Sequence, residues 1–141
     1  YGSAKPSDEP TLVRVHRRNL LGDIFDANDH PSGRELRASL RMISEAGRGA
    51  LIYLRPEQYG DEFIDRLQKI QRPELDVNIP DLTVSKKPMD RRDYGTGVQI
   101  IRDLGLKNLK LLTNHPKHLT ALHGFGIDIV EEIPIVTNGD R

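Results

Sequence analysis

The chain has 141 residues, enough for one domain with its own hydrophobic core, and 36% of them are hydrophobic. Its 21 Lys and Arg residues balance 21 Asp and Glu residues, so we expect no nucleic-acid partner and no attraction to an anionic membrane. The absence of cysteine excludes disulfides, thiolate metal ligands and a cysteine nucleophile.

Two polar tails flank the predicted domain. Residues 1–10 are small and polar and contain proline, which is typical of a linker or a cloning tail, and they lack the apolar core of a secretory signal. Residues 136–141 are predicted to be a disordered tail. The domain then spans residues 11–135, and its tails suggest a piece cut from a longer protein. No apolar run approaches the roughly 20 residues that cross a bilayer, so we expect a cytoplasmic location.

The first half of the domain predicts two strands with a helix between them. Thr11–His16 alternates apolar and polar residues, as a half-buried strand does. A partly packed loop follows over 17–32, and leucines at helical spacing then predict a helix that Gly47 ends. Ala50–Leu54 is apolar throughout, which is typical of a buried strand. Beyond it the pattern predicts a helix and then a proline-rich loop, over 62–71 and 72–88.

The second half of the domain predicts two helices and two strands. Asp93 is a candidate N-cap for a helix whose inward face carries Val98, Ile101 and Leu104, and Gly105 would end it. The later elements are a strand, a helix and a strand, over 109–113, 116–124 and 127–135. Strands that alternate with helices in this order predict an α/β domain.

Two short motifs contain charged or polar groups that could take part in catalysis or bind an anion. In Asp90–Asp93 (DRRD), two carboxylates flank two guanidinium groups, and these charges would perturb each other's pKa values if partly buried. The alternative is a solvated charged turn. In Thr113–Lys117 (TNHPK), a strand end runs into a helix N-terminus, where free N–H groups together with Thr113 and Lys117 would bind an anion. An ordinary turn between a strand and a helix is the alternative there.

Together with the intervening segment DYGTGVQIIRDLG, these motifs resemble the core of GTP cyclohydrolase II. That family reads D-x-R-D-Y/F, a helix, L-L-T-N-N-P-K and a final V-E-x-V-P-I strand, here IDIVEEIPI. VRVHRRNLLGD also resembles the family's VRVHSECLTGD, and GRGALIYLR resembles the segment before its E-G-R loop. The resemblance covers about 11–135. It implies an α/β fold of the GTP cyclohydrolase II type, with a mixed sheet, flanking helices and a homodimer.

The resemblance also assigns roles to retained residues. Arg92 matches the arginine proposed to attack the α-phosphate of GTP, and Asp90 matches the carboxylate proposed to assist water or proton transfer. Arg14 matches an arginine that contacts the nucleotide, and Thr113 a residue close to it. With Lys117, these residues would bind GTP or another phosphometabolite. Any Mg²⁺ would accompany a bound nucleotide or belong to a fused synthase domain.

The zinc ligands of the family are not retained. Members open GTP with a water held on zinc by three cysteine thiolates, and Asn19, His30 and Ser32 stand at those positions. Asn and Ser are poor zinc ligands, and one His cannot hold a catalytic zinc that needs three protein ligands. We therefore expect no metal in this domain. Other family positions have changed as well, at Glu57, Gln58, Tyr59, Ile70 and His118.

Two features near the former zinc position allow another interpretation. His16, His30 and Asp23 would form a substitute metal site if they met, although each histidine is more simply a surface or hydrogen-bonded residue. Arg17 and Arg18 make the region more basic, which suits either an anion site or a solvated rim.

The function implied by the resemblance lies in riboflavin biosynthesis, where this fold is often fused to 3,4-dihydroxy-2-butanone 4-phosphate synthase. The leading hypothesis is a non-catalytic domain that supports or regulates such a fused synthase, so that the full-length protein would be a lyase. One alternative is an enzyme that releases pyrophosphate from GTP through Arg92 and Asp90. Another is a sensor that binds a nucleotide or phosphometabolite without reaction.

Overall fold

A computed structural model of the chain describes residues 1–2, 9–25, 31–55, 68, 91–114 and 126–137, with the backbone alone at 91–94. Its elements are β1 (Thr11–Arg17), α1 (Leu20–Asp23), α2 (Ser32–Glu45), β2 (Gly49–Leu54), α3 (Arg91–Asp103), β3 (Asn108–Leu112) and β4 (Asp128–Ile133). The predicted helices at 62–71 and 116–124 and the loop at 72–88 lie outside the described residues, apart from Gln68, which is helical. Among the described helices, none has the length and apolar character that a membrane span requires.

The described strands form one sheet in the order β2-β1-β3-β4. All three pairings are parallel. Between β1 and β2, α2 provides the helical crossover that a parallel pair requires. The α/β class with flanking helices is confirmed. The described sheet, however, is parallel rather than mixed.

Within the described residues, each face of the sheet packs against one long helix. Successive side chains of a strand point to opposite faces, so Leu12 and Val13 of β1 belong to different core clusters. Leu12 packs in one cluster with Ala38 and Ile43 of α2. Val13 packs in the other with residues of α3, Val98 and Ile101. The result is a three-layer arrangement with the sheet in the middle.

The boundaries of α3 correct two predictions and confirm one. Asp93 is not the N-cap, because the helix already includes Arg91. Leu104 does not face inward, since it lies beyond the last helical residue and its side chain is 38% exposed. Gly105 does end the helix, with a φ of 72° that a residue without a β-carbon adopts at little cost.

The strand order reverses between β1 and β3, and in open α/β sheets such a reversal leaves a crevice at the carboxyl edge. From β1 the chain crosses to β2 on one side and later returns to β3 on the other side of β1. Ligands of open α/β sheets bind at such a reversal, beyond the carboxyl ends of the two strands. The ends of β1 and β3 therefore define the place to look for a site.

Candidate functional site

A buried carboxylate is the centre of the polar groups beyond β1. Asp23, the last residue of α1, has a side chain that is 1% exposed. Its Oδ2 accepts hydrogen bonds from the Tyr53 hydroxyl at 2.8 Å and from the Asn19 N–H at 2.9 Å. Its Oδ1 lies 3.0 Å from Nε2 of His16, which is itself 2% exposed. Asp23 thus ties α1 to two neighbouring strands, because His16 and Tyr53 are paired across β1 and β2.

The charge state of Asp23 follows from these contacts. Burial by itself would raise the pKa of the carboxyl group. The hydrogen bonds from His16, Asn19 and Tyr53 and the charge of His16 outweigh burial and hold the pKa at about 2. Asp23 is therefore a carboxylate at neutral pH and serves as a structural acceptor.

The lowered pKa of Asp23 makes stability depend on pH. Because the pKa is below its unfolded value, the contribution is complete above about pH 4 and is lost as the pH falls through about 2. We expect the difference in unfolding free energy between the unmodified chain and Asp23→Asn to shrink by about 2 kcal/mol over that interval. Urea unfolding at a series of pH values measures it, and a difference that stays constant would contradict the assignment.

Asn19, which the resemblance places at a zinc-ligand position, has a local structural role. Its backbone is extended, with φ −129° and ψ 95°, and its Oδ1 accepts a hydrogen bond from the Gly22 N–H at 3.3 Å. This is the geometry of a helix N-cap, which satisfies one of the free N–H groups of the first turn. The side-chain oxygen of Asn19 is therefore already in use for the start of α1.

Ser32, which the resemblance places at another zinc-ligand position, lies beside Asn19. A β-carbon on Gly22 would overlap Ser32 Oγ and would lie 3.4 Å from Asn19 Cγ. A β-carbon on Gly33 would likewise overlap the Gly22 carbonyl oxygen, so two glycines allow α1 and the start of α2 to touch. Ser32 is 3% exposed, and its Oγ has no hydrogen-bond partner among the described residues.

The structure therefore brings together two of the three residues that the resemblance assigns to lost zinc ligands. They supply an amide and a hydroxyl group, neither of which is a donor that zinc favours. His30 lies outside the described residues, and so does any contact it makes with His16 and Asp23. Within the described part of the chain, no three His, Asp or Glu residues are grouped so that they could hold a metal ion.

The predicted nucleotide ligand Arg14 lies in the crevice between β1 and β3. Its Nη1 donates a hydrogen bond to the Leu112 carbonyl oxygen at 3.2 Å, and its Nη2 lies 3.4 Å from Oε2 of Glu35. Burial lowers the pKa of Arg14, while the charges of Glu35 and Asp23 act in the opposite direction. The guanidinium group is thus largely enclosed and already faces a carboxylate.

A second polar residue completes the crevice on the side of β3. Asn114 Nδ2 donates to Glu35 Oε1 at 3.1 Å, and Asn114 Oδ1 accepts from the Ile135 N–H at 2.9 Å. Thr113, predicted to lie near a nucleotide, directly follows β3, and its N–H donates to the Ile133 carbonyl oxygen at 3.0 Å. Neither Glu35 nor Asn114 was singled out from the sequence, although Asn114 belongs to the TNHPK motif.

The remaining predicted site residues are only partly placed. Arg92 belongs to the first turn of α3, where the backbone alone is described. Asp90 and Lys117 lie outside the described residues. Their predicted contacts with a nucleotide stay predictions.

Comparison with known proteins agrees with the resemblance seen in the motifs. The family described as GTP cyclohydrolase II matches residues 1–134. Relatives called "Riboflavin biosynthesis protein RibBA" are 42% identical over 134 residues in Bacillus cytotoxicus, 41% over 136 in Bacillus subtilis and 40% over 130 in Cytophaga hutchinsonii. These matches cover 92%, 95% and 91% of this chain but 33%, 34% and 32% of the relatives. The chain thus spans about a third of their length.

Proposed function

The chain belongs to the GTP cyclohydrolase II family, and from this premise we propose that it is a domain of a riboflavin-biosynthesis protein that does not open the purine ring of GTP. One observation carries the proposal. Asn19 and Ser32 lie together where the resemblance expects zinc ligands, and the Asn19 oxygen caps α1 instead. The donor set does not fit a catalytic zinc.

The chemical consequence follows from what zinc does in such a site. A catalytic zinc is held by three protein ligands and brings the pKa of a bound water down to about 7, which creates a nucleophile at neutral pH. An amide that is engaged in a helix cap and a buried hydroxyl do not replace two thiolates. In our proposal the domain keeps the fold of the family but lacks the zinc-bound water that attacks the purine ring.

The role that we propose is to support or regulate a fused 3,4-dihydroxy-2-butanone 4-phosphate synthase. The relatives support this part of the proposal, because this chain matches only about a third of their length. The other two thirds have room for a second domain. Their name places those relatives in riboflavin biosynthesis. The proposal includes a homodimer and a cytoplasmic location, and it makes the full-length protein a lyase.

The test is to incubate the purified chain with GTP, Mg²⁺ and added Zn²⁺. Chromatography follows the ring-opened product, and a coupled assay follows pyrophosphate. We expect neither product above the level of an Arg92→Ala control. Ring opening above that control would overturn the proposal. Pyrophosphate release that depends on Arg92, without ring opening, would instead establish the alternative enzyme.

A further inference from the structure

An acidic side chain of the chain itself extends into the crevice between β1 and β3. Glu35 comes from the first turn of α2, and its side chain is 16% exposed, while that of Arg14 is 14% exposed. Both of its carboxylate oxygens have partners, Arg14 on one side and Asn114 on the other. Asn114 is held in turn by the Ile135 N–H. The carboxylate is therefore fixed between the ends of the two strands.

The pairing leaves binding capacity on Arg14. The distance of 3.4 Å between Nη2 and Oε2 is longer than the roughly 2.7–2.9 Å of a strong charge-assisted hydrogen bond. Nε of Arg14 is buried and has no hydrogen-bond partner among the described residues. Within the described part of the chain, a guanidinium group that offers five donors in a fork thus makes one long ion pair and one bond to a carbonyl. A ligand with several oxygens in one place would satisfy this group better than Glu35 does.

We infer that Glu35 occupies the anion position of this crevice and competes with phosphate ligands for Arg14. The inference deepens the proposed function, on which it rests, because it names the residue that decides whether this site takes a nucleotide. A phosphate group must displace the carboxylate from Arg14. The displaced carboxylate stays tethered to α2, close to the incoming negative charge. Both effects weaken binding of any anion.

Glu35→Gln tests the effect of the negative charge on anion binding without changing the size of the side chain. Glutamine has nearly the same size and keeps an oxygen that accepts from the Asn114 amide. It removes the negative charge and releases Arg14. We expect inorganic pyrophosphate, and separately GTP, to bind this variant about ten- to a hundredfold more tightly than the unmodified chain. Titration calorimetry at low ionic strength measures both dissociation constants, with a chelator present so that no metal bridges the ligand.

Two controls test whether the gain in binding depends on removing the charge at position 35 and on Arg14. Glu45→Gln makes the same change in net charge at an exposed site at the other end of α2, and we expect it to leave both dissociation constants unchanged. Adding Arg14→Ala to Glu35→Gln should abolish the gain. An equal gain in Glu45→Gln, or a gain that survives the loss of Arg14, would refute the inference.

A second variant protects the test against a folding defect. Asn114→Ala removes the other partner of Glu35 without removing its charge, so we expect a smaller gain of about threefold. Thermal unfolding identifies which variants are folded. Folded variants with no gain for either ligand would show that the pair is structural only. Ring opening of GTP by the unmodified chain would refute the proposed function, while the comparison of Glu35→Gln with Glu45→Gln would still decide the role of Glu35.

Discussion

Replacing Asn19, His30 and Ser32 with cysteine together is expected to give the chain one tightly bound zinc ion. Asn19 and Ser32 already lie beside the same backbone atoms of Gly22, so the described part of the site needs new ligands rather than a new fold. The cost is the N-cap of α1, about 1 kcal/mol. Three thiolates supply far more, since structural zinc sites contribute about 10–16 kcal/mol. We expect a dissociation constant below about 100 nM.

Competition with a chromophoric chelator measures that affinity. The matched control carries three cysteines at exposed positions in α2, in α3 and after β4, namely Ser44, Gln99 and Thr137. It has the same thiol content, and we expect it to bind zinc no better than micromolar. A folded triple variant at 19, 30 and 32 that fails to outbind this control would show that these positions no longer converge.

Asp23→Ala is expected to lower the unfolding free energy by about 3–5 kcal/mol. The substitution removes one acceptor from three donors, so His16, the Tyr53 hydroxyl and the Asn19 N–H all lose their partner in a buried place. Since whole domains are stable by only about 5–15 kcal/mol, such a loss is large. Urea unfolding followed by circular dichroism gives the value.

Asp128→Ala is the control for that loss. Asp128 begins β4, is exposed and changes the net charge equally, so we expect an effect within about 0.5 kcal/mol. An Asp23→Ala variant as stable as this control would show that the carboxylate does not tie α1 to the sheet.

The fold was largely predictable because its signals are local. The alternation in TLVRVH predicts β1, since a strand with different environments on its two faces repeats with period two. Gly105 ends α3 because the left-handed backbone there suits glycine. The prediction for Leu104 was wrong. Its spacing from Ile101 fits the inward face of the helix, but the helix ends at Asp103. Spacing alone does not say where the last turn ends.

The crevice was much less predictable because its contacts are distant in sequence. Glu35 and Asn114 are 79 positions apart, and Arg14 and Leu112 are 98 apart. The strand order brings these groups together, and strand order cannot be predicted from a local sequence pattern. Arg14 was found through the resemblance, but its pairing with Glu35 was not. A charged residue in the first turn of a helix is ordinarily explained by the helix dipole alone.

The residues near the zinc position that the resemblance implies were also only partly predictable. The sequence marked Asp23 and His16 as candidate metal ligands, because carboxylate and imidazole are common donors. In the structure each is a partner of the other, and Asp23 accepts from two more groups. Asn19 was interpreted as a poor zinc ligand from its chemistry, and this stays a prediction. Its use as a helix cap was not foreseen, because α1 itself was predicted as loop.

The most direct test of the proposal that this domain has lost its zinc site is the zinc content of the unmodified chain. The protein is purified without chelator from cells grown with added zinc, and zinc per chain is measured by elemental analysis. We expect no more than trace zinc, because Asn19 caps a helix and Ser32 offers only a hydroxyl group. About one zinc per chain, retained through dialysis, would contradict the proposal that this domain has lost its metal.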